Sequence, residues 1–249
     1  MRNDLLEAQA SVDWPQAQFL NLGVRLDGWL KRNVYIDIEE LAPPAEYDPI
    51  VAVERELMPL AFNVEVGAYI NAIRSSLDIL AMALVRRHGI EINPEKVQFP
   101  VARSAEHFAN GKYLGKEFVA ALPPDARRVI DDLKPYSGGN ESLWTLHQLD
   151  IKRKHRALLN VQVRPLRLTM AGADISPTDF VPINNETGWL PVNEKTVLGL
   201  LRKGVPHPDM KIMPIIAINE AGVADRKPVI ASLLHFASVA TFIIKMFDV

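Results

Sequence analysis

The sequence predicts an α+β fold, mainly a helical bundle with a small antiparallel sheet packed on it. Three observations carry that expectation. Apolar residues recur at helical spacing over about 60–160 and again over 226–249. The flanking segments, about 33–56 and 160–220, alternate apolar and polar residues in the period of a strand. Strand signals on both sides of one helical middle, with no internal repeat and no low-complexity tract, favour a single α+β domain over residues 1–249.

Taken in order, residues 15–31 form the first expected helix. Phe19, Leu22, Leu26 and Leu30 share one side, and Pro15 reads as its start. Val34, Ile36 and Ile38 alternate with Tyr35, Asp37 and Glu39, which predicts a strand. Pro43-Pro44 ends it, and a second strand over 50–53 would pair with it antiparallel. Residues 63–87 are the most regular helix, with Ile70, Ile73, Leu77, Leu80 and Leu84 in phase and Gly89 at the C-terminal cap position. A loop over 90–115 follows, with one helical turn expected at 104–108 and helices at 116–122 and from Pro124 to Leu133. Asn140 is placed to cap a helix over 141–158.

Beyond Asn160, Val161, Val163, Leu166, Leu168 and Met170 read as a strand whose Pro165 requires an edge or a bulge. Residues 172–210, rich in Pro, Gly and Asn (Pro177, Pro182, Asn184-Asn185), are expected to be mostly loop, with a short helix at 197–202. A strand over 212–218, a turn at Glu220-Ala221-Gly222 and a last helix from Pro228 complete the chain. Ile230, Leu233, Leu234, Ala237 and Ile244 leave that helix almost no polar face, so it should pack centrally against the 63–87 helix.

Composition narrows the function. The 249 residues hold 28 Lys and Arg against 30 Asp and Glu, a net charge of −2, which excludes a broadly basic nucleic-acid coat but not a local basic groove. With 48% hydrophobic and 23% charged residues, wholesale disorder is excluded. The absence of Cys rules out disulfide scaffolds, thiolate metal sites and cysteine nucleophiles. Met1–Glu7 lacks the apolar run of a signal peptide, and polar residues interrupt the apolar segment 229–249, so a cytoplasmic protein without a membrane partner is expected. The six His residues include no pair at chelating helical spacing. Hence neither a metal site nor a cofactor is expected.

Two clusters are candidates for chemistry. On the 63–87 helix, Asn71, Arg74, Ser75 and Asp78 form one stripe, with Arg74 and Asp78 four apart and able to pair. The stripe reads either as a structural ion pair holding a loop or as an Arg held by Asp to face a phosphate. On the 141–158 helix, His147, Asp150 and Lys154 share an angle, while His155 falls beside Trp144 and Ile151. Lys152 to Arg156 also suit a helix C-terminus, where cations complement the dipole. The two clusters are expected to meet across a helix pair, His155 and Arg156 against Arg74 and Asp78.

The ordered set Arg74-Ser75-Ser76-Leu77-Asp78, Phe99-Pro100, Pro135-Tyr136 and Lys154-His155-Arg156 resembles a large uncharacterised bacterial family over about 60–160. That family shows Asp before Lys-His-Arg, where this chain has Arg153, and Asp150 stands one turn earlier. In outline the helical part is similar to HEPN domains, helical bundles often found as ribonucleases or nucleotide-site proteins. The resemblance implies metal-independent RNA cleavage by His155, with Arg74, Asp78 and Arg156 as further catalytic residues. Asn71, Ser75, His147, Asp150 and Lys154 would then line the binding site for RNA or a nucleotide. Two readings stand beside it: a non-catalytic module for nucleic acid or a phosphate-bearing ligand, and a structural protein acting through homo-oligomer contacts.

Overall fold

A computed structural model describes residues 1–171, 176, 178–183 and 188–248. Among them the chain is α+β, with seven α-helices and seven strands in two antiparallel sheets. After a 3₁₀ turn at Asn3–Leu5, α1 spans Leu6–Asn33 and leads directly into β1, Val34–Ile38. The expected start at Pro15 is therefore corrected: the helix begins at Leu6, about two and a half turns earlier. Leu5, Ala8, Val12, Phe19, Leu22 and Leu26 continue one 3/4-spaced apolar face, all buried, and that burial outweighs the backbone hydrogen bond lost at Pro15.

β1 pairs antiparallel with β2, Tyr47–Glu54, as its alternation predicts. The 28-residue helix α2, Leu60–Arg87, follows, and Gly89 adopts φ 60° after its end. The loop beyond it carries a 3₁₀ turn at Pro94–Lys96 and a short α3, Ala105–Ala109, capped by the Ser104 hydroxyl. Then come α4, Lys116–Ala121, and α5, Pro124–Leu133. Helix α6 runs Glu141–His155, shorter than the expected 141–158. The Asn140 side chain accepts from the Leu143 amide at 3.0 Å and so caps it.

Strand β3, Val161–Ala171, pairs with β6, Asp209–Glu220, and β6 pairs with β7, Ala224–Pro228, in a sheet of order β3-β6-β7. Pro165 stands opposite Pro214, and the register shifts directly after them. Two residues without amide hydrogens share the point where the ladder is interrupted; Pro165 is on the edge strand β3, and Pro214 lies outside the part of β6 that pairs with β7. The second sheet has order β1-β2-β5-β4, with β4 at Phe180–Pro182 and β5 at Lys195–Arg202. The short helix expected at 197–202 is thus a strand. Thr196, Val197, Leu198 and Leu201 pack as β-branched and apolar residues between two partner strands, a tertiary setting that six residues do not disclose. The loop expected around Pro177 and Asn184-Asn185 lies in part outside the described residues, and β7 was not expected at all.

The last helix α7, Val229–Met246, packs against both α1 and α2. The core bundle is α1, α2, α6 and α7. Leu233 is fully buried while Leu234 is 44% exposed, which sets the side of α7 that faces the core. Helices α2 and α7 have the length and apolarity of membrane spans, and both are packed bundle elements in this fold. One continuous apolar core joins the bundle to both sheets.

Candidate functional site

The polar stripe of α2 meets α6, which runs antiparallel to it. The Asn63 carboxamide donates to the Leu159 carbonyl at 2.8 Å. At Gly67, a β-carbon would stand 3.0 Å from the Arg153 side chain, which lies close over α2 there. One turn on, the Asn71 amide donates to Asp150 at 2.9 Å. Next, Arg74 Nε donates to His147 Nδ1 at 3.1 Å. Asn71, Arg74, Ser75 and Asp78 therefore stand with His147, Asp150 and Lys154 in one strip, as their shared helical angles suggested.

Arg74 is 3% exposed and all three of its guanidinium nitrogens are bonded inside the protein. Beyond the bond to His147, one terminal nitrogen reaches Asp78 at 2.8 Å and the other the Phe99 carbonyl at 3.0 Å. Asp78 in turn accepts the Phe99 amide at 2.9 Å. The pair thus holds both backbone groups of Phe99, whose side chain is buried. Further along the same segment, the Ala102 amide donates to the Pro135 carbonyl at 2.8 Å. Rings then link Tyr136 to Phe108 and Phe108 to Tyr113, at 5.6 and 4.9 Å. The Arg-Ser-x-Leu-Asp, Phe-Pro and Pro-Tyr motifs are therefore parts of one clamp on the segment 97–102.

His147 is held neutral. Burial drives its pKa down to about 3, and the positive charges of Arg74 and then Lys154 add to the effect. Because an arginine only donates, Nδ1 must accept and the ring proton sits on Nε2. Asp150, 3% exposed, receives both Asn71 and Lys154, the latter at 2.7 Å. A buried carboxylate is thereby paired on both oxygens, the condition under which such a group is tolerated.

The expected partnership of Arg74 and Asp78 with His155 and Arg156 is corrected. His155 stands two turns, about 12 Å, beyond the residue that Arg74 reaches, and helical angle fixes a face without fixing that register. His155 and Arg156 are exposed, and among the described residues neither side chain has a hydrogen bond or ion pair. The rest of the basic run is engaged: Lys152 binds the buried Glu220, Lys154 binds Asp150, and the Arg153 stem covers Gly67. The clefts of about 470 and 520 Å³ lie elsewhere, the first lined by Phe108, Tyr113 and Arg127, the second by Tyr35, Glu54 and Lys195. No group of three His, Asp or Glu among the described residues could hold a metal ion.

Among the buried polar residues that sequence reasoning did not single out, Glu54 borders a cleft. Glu54 ends β2 at 8% exposure, accepts the Met58 amide at 3.0 Å, and has its pKa pushed up by burial. It borders a cleft of about 230 Å³ with Asn63 and Asn160. The only available signal was an acid closing the apolar run Ile50–Val53. Comparison with family models, curated proteins and solved structures finds no match.

Proposed function

We propose that this chain is a non-catalytic interaction module, in which the motif residues are a structural clamp and function is exercised through the outer surface. The observation that carries this reading is Arg74, 3% exposed and bonded at every guanidinium nitrogen to the protein itself. A phosphate-binding arginine keeps donors free to face its ligand, and a stabiliser of developing charge must reach the place where that charge appears. Arg74 instead turns three of its five N–H donors, one from each nitrogen, to His147, Asp78 and a backbone carbonyl, and it is buried. The HEPN-like nuclease reading would need His155 beside Arg74, and two helical turns separate them.

A second reading rests on the exposed side chains of His155 and Arg156, unpartnered among the described residues and placed to meet an RNA phosphate at the end of α6. One experiment separates the two. Purified protein is incubated with mixed RNA and with single-stranded DNA, with and without chelator, and run beside His155→Ala and Arg156→Ala. The interaction reading expects intact nucleic acid and no mobility shift in every lane. A shift lost in the two variants would favour RNA binding. Cleavage lost in His155→Ala, at an unchanged melting temperature, would overturn the non-catalytic reading.

A further inference from the structure

The side of α1 opposite its buried face carries a second regular stripe. Leu6, Ala10, Asp13, Ala17, Leu20, Val24, Asp27 and Lys31 follow one another at alternating spacings of four and three. All are exposed, Leu20 at 81% and Val24 at 65%. Strict 3/4 spacing keeps a row on one side of a helix, so that it can meet a second helix along its length. Its charges are arranged about a centre. Taking the point between Leu20 and Val24 as a two-fold axis, Leu20 falls opposite Val24 of a second antiparallel copy. Asp13 then falls opposite Lys31, and Lys31 opposite Asp13. Ala17 falls opposite Asp27, whose carboxylate lies one turn from the same Lys31, so the stripe meets itself apolar against apolar at the centre and carries an acid–base pair at each end, the two ends about 27 Å apart.

We infer that a second copy of this chain docks on this face, α1 against α1, antiparallel and in that register. The inference rests on the interaction reading above and names its partner. Helix α7 borders the seam: a β-carbon at Gly23 of α1 would stand 3.7 Å from the Ile230 side chain, and Leu234 one turn further is 44% exposed. In the monomer Asp13 accepts only the Gln9 side chain and Lys31 pairs only with Asp27, exposed contacts that can be exchanged at little cost. An interface built from one helix and a neighbouring rim falls at the small end of stable associations, so the dimer should dissociate on dilution in the micromolar range.

The test is sedimentation equilibrium of the full chain over a hundredfold range of concentration, with melting temperatures as controls. Wild type is expected to pass from monomer to dimer. Leu20→Glu should remain monomeric with its melting temperature unchanged. Asp13→Lys sets lysine against lysine at both ends and should weaken the dimer about tenfold. Adding Lys31→Glu to it should restore association to within about threefold of wild type. A wild type that stays monomeric, a Leu20→Glu dimer, or a double variant as weak as Asp13→Lys would each overturn the inference. Monomeric protein that leaves RNA intact removes this partner alone, whereas RNA cleavage removes the reading beneath it.

Discussion

At the residue scale, His147 shows how burial and charge together set one protonation state. Its imidazole is neutral in the fold, with a pKa near 3, but titrates near 6.5 in the unfolded chain. Below pH 6.5 the unfolded state therefore takes up a proton that the folded state refuses, and stability falls as the pH falls. Between pH 6.5 and 5 this amounts to about 2 kcal/mol, lost toward acid. His147→Asn keeps an acceptor where Nδ1 lies and removes the titration. Its stability, measured by denaturant unfolding at several pH values, should be flatter than wild type over that interval. Equal slopes would show that His147 is not held neutral. The sequence disclosed this residue only in part. The shared angle of His147, Asp150 and Lys154 was legible, but which of them Arg74 reaches depends on the axial register of two helices, which neither helix discloses alone.

At the element scale, α7 tests which face of a nearly uniform apolar helix is inward. Its sequence gives no polar side to orient it, so Leu233 and Leu234 looked equivalent. Packing on α1 and α2 distinguishes them, with Leu233 fully buried and Leu234 44% exposed. Leu233→Ala should cost about 2–5 kcal/mol, whereas Leu234→Ala should stay within about 1 kcal/mol of wild type. Matched melts check this, and equal losses would mean that the helix is rotated. The same physics explains the other misreadings. Pro15 looked like a helix start because the continuing face through Leu5, Ala8 and Val12 was discounted. Strand β5 looked helical because a short apolar run carries no period of its own, and β2 and β4 supply its pairing from distant sequence. By contrast, β1, β2, the Asn140 cap and the interrupted β3–β6 ladder were legible, because each is written in local chemistry.

At the scale of the whole molecule, the clamp joins parts that the bundle alone leaves loose. Arg74 and Asp78 fix the 97–102 segment to α2, and that segment carries Pro135, Tyr136 and α3 with it. Arg74 is buried, with every guanidinium nitrogen bonded inside the protein. The central claim is therefore a claim about stability, and equilibrium unfolding of Asp78→Ala tests it most directly. Removing that carboxylate leaves a buried guanidinium uncompensated and the Phe99 amide without its acceptor. The expected loss is about 3–5 kcal/mol, roughly 6–20 °C in melting temperature for a chain of this size. An Asp78→Ala protein as stable as wild type would contradict the structural role and return Arg74 and Asp78 to the list of candidates for a ligand.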